Sequence, residues 1–166
     1  SYLQKKPNKI FYKYDLIISF GYRHVIHSSI IKNCKRPILN LHTSYLPHNR
    51  GAHPNFWSFM KNTPKGVSIH EMSDKLDCGP IVFRKKISFS TNENSYKKTY
   101  IKLINEAEKL FRINIKKILN KKYKKKKIKF KGTFHLKKDL PKFMKNWDIG
   151  IKESKQFFKK LNDKCV

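Results

Sequence analysis

Residues 15–42, DLIISFGYRHVIHSSIIKNCKRPILNLH, carry two kinds of periodicity in one stretch. DLIISF (15–20) is a short apolar run ending at Gly21, the pattern of a strand buried in a parallel sheet. HVIHSSIIKNC (24–34) has helical character, and Pro37 stops it ahead of ILNLH, where Leu39, Asn40, Leu41 and His42 alternate apolar and polar. Strand, helix, strand makes a right-handed crossover between parallel strands, and open sheets of this kind bind ligands beyond the carboxyl ends of their strands. Gly21, Tyr22, Arg23 and the run from Asn40 to Ser44 therefore fall on the functional rim. The period of two sets Asn40 and His42 on one face, an amide and an imidazole side by side. The strand then breaks into a stiff basic loop, TSYLPHNRG (43–51).

Downstream, PNFWSFMK (54–61) reads as a helix with Pro in its first turn and an aromatic core face, stopping near Asn62-Thr63-Pro64. GVSIHEM (66–72) alternates Val67 and Ile69 with Ser68 and His70, LDCG (76–79) forms a turn, and PIVFRKKISF (80–89) returns as a strand. Tyr96, Tyr100, Leu103, Ala107, Leu110, Phe111 and Ile118 keep helical spacing, which predicts one long amphipathic helix. Its end dissolves into NKKYKKKKIKFKG, and GTFHLKKDLPKFMKNW (132–147) is mixed. The expected organisation is a catalytic domain over residues 1–120 and a basic extension over 121–166 that packs on it or trails from it. No internal repeat is visible.

With 166 residues, 39% apolar and 13% aromatic, the chain can bury a core as one domain. A net charge of +28 invites a nucleic-acid reading, since Lys and Arg that neutralise phosphates supply most non-specific affinity. The competing cause is an AT-rich coding bias. The arginines are only Arg23, Arg36, Arg50, Arg84 and Arg112, and the Lys excess travels with many Asn, Ile, Phe and Tyr. Such a bias spreads Lys over solvated faces without selecting a partner. Cys34, Cys78 and Cys165 lie far apart without CxxC spacing, which points to a reduced, cytoplasmic protein. No apolar run reaches the roughly 18 residues a membrane helix needs, and SYLQKKPNKIFYK (1–13) has no signal-peptide core.

Asn40, His42 and the turn residue Asp77 form a candidate acid–base constellation. His exchanges a proton near neutral pH, a carboxylate orients and stabilises its charged form, and an amide donates to a developing oxyanion. None is a strong nucleophile, which favours direct attack by a substrate amine or water over a covalent enzyme intermediate. Asn, His and Asp are also common at strand ends and turns, so spacing alone leaves an ordinary structural role open. His48, His53 and His70 lack the spacing and partners of a metal site, and no metal is expected. Trp57 and Phe59 fit a core better than a stacking platform. Arg50 either meets an anionic group of a ligand or pairs locally.

The run NLHTSYLPHNRGAHPNFWSFMKNTPKGVSIHEMSDKLDCGPIV (40–82) resembles the core of the folate-dependent formyltransferases. The family pattern is Asn-x-His, then Ser-x-Leu-Pro and Gly, a Gly-Val-Thr-Ile-His-like strand and a Leu-Asp-x-Gly loop, and all parts occur here in order. The resemblance implies an α/β fold with a Rossmann-like, mostly parallel sheet and flanking helices. It implies formyl transfer from N10-formyltetrahydrofolate to a primary amine, with Asn40 and protonated His42 on the oxyanion and Asp77 supporting the imidazolium. Phe20, Gly21, Tyr22 and Arg23, with Asp77, would hold the pterin; Ser44 and Arg50 would meet the substrate. Family members carry a strand–helix unit ahead of DLIISF where this chain has some 14 residues, so an N-terminally truncated domain is expected. SYLPHNRGAHPNFWS (44–58) and GTFHLKKDL (132–140) look most like the enzymes acting on nucleotide-linked amino sugars. Without strand and turn signals for a C-terminal barrel, a methionyl-tRNA acceptor is disfavoured. A homodimer is left open by the resemblance. The rival from another class is an inactive scaffold that binds nucleic acid through its charge.

Overall fold

The computed structural model describes residues 6–128 and 132–163. Its elements are β1 (Ile18–Phe20), α1 (Ser28–Asn33), β2 (Leu39–His42), β3 (Arg50–Gly51), α2 (Pro54–Met60), β4 (Gly66–Glu71), β5 (Ile81–Lys86), α3 (Tyr96–Leu119), β6 (Phe134–His135) and α4 (Ile151–Asp163). The main sheet has the order β1-β2-β4-β5, and β3 pairs with β6 in a small second sheet. The α/β class, the flanking helices and the long third helix are as the sequence indicates. Within the four strands, parallel pairing belongs to β1 and β2, whereas β4 is antiparallel to both β2 and β5. The connections explain this: β1 and β2 are joined through α1, and β4 and β5 through the short segment around the 76–79 turn, which allows only an antiparallel pair.

Alternation along the strands separates core from site. Leu39, Leu41, Val67 and Ile69 face α3 and bury against its Leu103, Ala107, Leu110 and Ile118. The intervening residues face the other way. Register places Ser19 opposite Asn40 and Asn40 opposite His70, with His42 opposite Ser68, so the strands build a polar row on the face away from α3.

The long helix starts where Ser95 Oγ accepts the Lys98 amide and ends where the Arg36 guanidinium donates to the carbonyls of Ile118 and Leu119. That satisfies acceptors every helix leaves orphaned. A second core joins Phe56, Trp57 and Phe59 of α2 to Tyr96, Met144 and Phe158. The aromatic face of α2 is thus core, and α4 helps to cover it. Sequence alone leaves 132–147 mixed and marks no element after it, where the structure has α4. Ile151, Ser154 and Phe158 stand at helical spacing there, but the lysines between them dilute the pattern. The third cysteine, Cys165, lies outside the described residues; Cys34 and Cys78 are free thiols.

Candidate active site

At the carboxyl ends of β1 and β2 lies a cleft of about 520 Å³, lined by Phe20, Gly21, Tyr22 and Arg23 on one side and by Asn40, His42, His70 and Asp77 on the other. The volume lies within the range of small-molecule sites. Strand register brings Asn40 and His42 to the same face, and Asp77 reaches them from its turn with a left-handed backbone, φ 51°. Its Oδ2 accepts the Gly51 amide at 2.8 Å and stands 3.7 Å from His42 Nε2. The three residues singled out by sequence therefore meet in one place.

Sequence reasoning missed a fourth member. His70 Nδ1 donates to the Glu71 carbonyl at 2.9 Å, which leaves Nε2 of the neutral ring as the lone-pair nitrogen. That nitrogen accepts from Asn40 Nδ2 at 3.1 Å, with Asp77 Oδ1 3.4 Å away. One hydrogen of the Asn40 amide is thereby used and the other is left for a ligand. The signal was present: Ser68 and His70 are polar residues at alternate positions of an apolar strand. Finding their partner required the β2/β4 register.

Charge follows burial. Desolvation alone would raise the Asp77 carboxyl, but the adjacent His42 and His70 and the Gly51 amide together hold it well below the usual carboxylate range. His42 is pushed down, first by burial and in part by neighbouring His70, against the attraction of Asp77 and the Asn49 carbonyl. At neutral pH the pair rests as a carboxylate beside a neutral imidazole. The expectation of a protonated His42 then applies only after the ring has taken a proton.

Ser44 and Arg50 do not line the cleft. Ser44 is buried and its hydroxyl donates to the His48 carbonyl. Arg50 donates from Nη1 to Cys78 Sγ and lies over the Phe134 ring, so its guanidinium is engaged locally. Among the described residues no group of three or more His, Cys, Asp or Glu side chains is arranged to hold a metal ion.

Residues 8–114 match the family model of the formyl transferases. The chain belongs to the formyl transferase family. Within that family it is similar to the dTDP-4-amino-4,6-dideoxyglucose formyltransferase of Mycobacterium bovis, 29% identical over 77% of this chain and 53% of the relative. The chain thus spans about half the length of the curated relatives it matches. Its fold is similar to that of the formyltransferase PseJ from Anoxybacillus kamchatkensis, solved in complex with UDP-4,6-dideoxy-4-formamido-L-AltNAc and tetrahydrofolate. That similarity has a TM-score of 0.83 at 37% identity, over 90% of this chain and 82% of PseJ. A 4-N formyltransferase from Francisella tularensis superposes with a TM-score of 0.71 at 28% identity, over 78% of this chain and 52% of that one.

Proposed function

We propose that this formyl transferase moves a formyl group from N10-formyltetrahydrofolate to the primary amine of a nucleotide-linked amino sugar. The observation that carries the proposal is the convergence of Asn40, His42 and Asp77 at one end of the cleft. The cleft fits the donor's ring. At Gly21, φ +62°, nothing lies within 4 Å of the place a Cβ would occupy, so a flat ring can approach the backbone there. Val25 and Leu76 on the rim are exposed apolar surface for it to cover.

When bound, N10-formyltetrahydrofolate supplies an activated formyl carbon. The chain's residues do the rest. Asn40 directs its free amide hydrogen at the formyl oxygen. His42, neutral at rest, takes the proton of the attacking amine, in its charged form adds a second favourable interaction for that oxygen, and returns the proton to the donor nitrogen as the bond from that nitrogen to the formyl carbon breaks. Asp77, already ionised, stabilises the imidazolium and holds Gly51 against the turn. Phe20 to Arg23 contact the pterin. On the proposed division residues 1–120 carry this machinery and residues 121–166 are a basic extension, of which Phe134–His135, Met144 and Phe158 pack on it.

The nucleotide-sugar acceptor is supported by the relatives: PseJ holds a UDP-linked formamido sugar beside tetrahydrofolate, and the mycobacterial relative is named for a dTDP-linked amino sugar. The free thiols of Cys34 and Cys78 favour a cytoplasmic setting, and no described helix is long and apolar enough to cross a membrane. Incubation of the chain with N10-formyltetrahydrofolate and 3- or 4-amino-deoxy nucleotide sugars, followed by mass spectrometry, should give a product heavier by one formyl group. Formylation of initiator methionyl-tRNA at a rate equal to or above that of every amino sugar would overturn the choice of acceptor.

A further inference from the structure

The loop after β2 is tied to the C-terminal segment, and the tie leads back to His42. Asn49 is fully buried and holds a left-handed backbone, φ 54°. Its backbone N–H donates to Thr133 Oγ1 at 2.7 Å. The Thr133 hydroxyl donates in return to Asn49 Oδ1 at 3.1 Å, and Asn49 Nδ2 donates to Thr63 Oγ1 at 2.7 Å. Asparagine suits the position on two counts: it tolerates the left-handed region, and its side chain both donates and accepts. With those groups engaged, the Asn49 carbonyl is held 3.4 Å from His42 Nε2.

The C-terminal partner is held just as firmly. Gly132 has φ +61°, and a Cβ there would lie 2.0 Å from the Pro47 carbonyl oxygen, so Thr133 can reach the loop because residue 132 has no side chain. Arg50 N–H donates to the Thr133 carbonyl at 2.9 Å and Ala52 N–H to the His135 carbonyl at 2.8 Å. The segment thus follows the loop hydrogen bond by hydrogen bond.

We propose that Asn49, clamped by Thr133 and Thr63, is a positioning residue that keeps the proton of neutral His42 on Nε2 and leaves Nδ1 as the lone pair that accepts the amine proton. The inference rests on the reading of His42 as the base of formyl transfer. Both groups that face Nε2, the Asn49 carbonyl and the Asp77 carboxylate, are acceptors, which favours a hydrogen on that nitrogen. His70 presents its ring edge-on with centroids 6.2 Å apart, and Asn40, beside it on β2, gives one amide hydrogen to His70. No step occurs at Asn49 itself; it acts through the ring it holds.

The test is nitrogen-15 NMR of the imidazoles in the full chain. At neutral pH the His42 correlations should show Nε2 protonated and Nδ1 bare. Thr133→Val keeps the shape and removes the hydroxyl. It should mix the two tautomers, lower the pH at which His42 titrates because an acceptor has moved away, and reduce kcat by about ten- to a hundred-fold with KM for the folate little changed. Thr133→Ser should restore all three. A proton found on Nδ1 in the unaltered chain overturns the inference, whatever the variants do. So does a folded Thr133→Val protein whose His42 resonances stay where they were. The Nε2–H tautomer in a chain that formylates nothing would support the positioning role while removing the formyl-transfer reading.

Discussion

Asp77 concentrates the electrostatics of the site in one side chain. Its folded value lies below the value near ~3.9 expected in the unfolded chain, so the stability it contributes is complete above about pH 4 and is lost as the pH falls further. His42 works in the same direction from a higher pH. Its buried ring is harder to protonate than the ~6.5 of an unfolded histidine, so its contribution is present above that value and drains as acid is added. Asp77→Asn keeps an acceptor for the Gly51 amide and removes the charge. We expect a native circular dichroism spectrum, turnover lower by about a hundred- to ten-thousand-fold, and a melting temperature that responds less to acid below about pH 4 than that of the parent. A variant retaining more than a tenth of parental turnover would remove Asp77 from the chemistry. If His42 is the base as proposed, the acid limb of kcat/KM in the parent should lie below ~6.5, because the ring must be neutral to take a proton.

At the level of elements, α3 and α4 meet at a buried polar contact. Tyr96 is fully buried, and its hydroxyl lies 2.6 Å from Ser154 Oγ. Ser154 gives its own hydrogen to the Ile151 carbonyl, which makes Tyr96 the donor. Burial, only partly offset by Ser154, pushes the phenol up to about 12, so it stays protonated through the ordinary pH range. Tyr96→Phe should cost about 0.5–1.5 kcal/mol. Amide exchange should speed up in α4 more than in α3, whose other face is pinned by the sheet. Equal acceleration in both helices would show that this contact does not hold α4 in place. The contact also bears on legibility: the spacing of Leu103, Ala107, Leu110 and Ile118 gives α3 away because all face one sheet, whereas α4 packs on aromatic residues contributed mainly by α2.

For the molecule as a whole, the question is what a net charge of +28 is for. Three of the arginines are built into the fold: Arg36 caps α3, Arg50 engages Cys78, and Arg84 donates to the Leu46 carbonyl at 2.7 Å while lying over the Tyr45 ring. Each of those side chains already has a donor engaged inside the fold, which leaves it less available for the bidentate contacts that read bases or grip phosphates. The remaining charge is mostly lysine on exposed surfaces, including the stretch 121–127. Binding to RNA should therefore be weak, indifferent to sequence and steeply reduced between low and physiological salt in a filter or fluorescence titration. Tight, sequence-selective binding at physiological salt would favour the nucleic-acid module instead.

Short-range pattern was enough for the α/β class, the crossover, the long helix and three residues that line one cleft. Each is written in short-range periodicity or in a compact turn: alternation places Asn40 with His42, and LDCG fixes the bend that carries Asp77. Tertiary structure decided the rest. His70 joins the site through pairing of strands 30 residues apart, and Asn49 meets Thr133 across 84. Whether Ser44 and Arg50 face the cleft or the loop, and which way β4 runs beside β2, also depend on how distant segments dock. Local pattern records which face of an element is apolar. Partners on the polar side are chosen by register and burial, which exist only once the chain has folded.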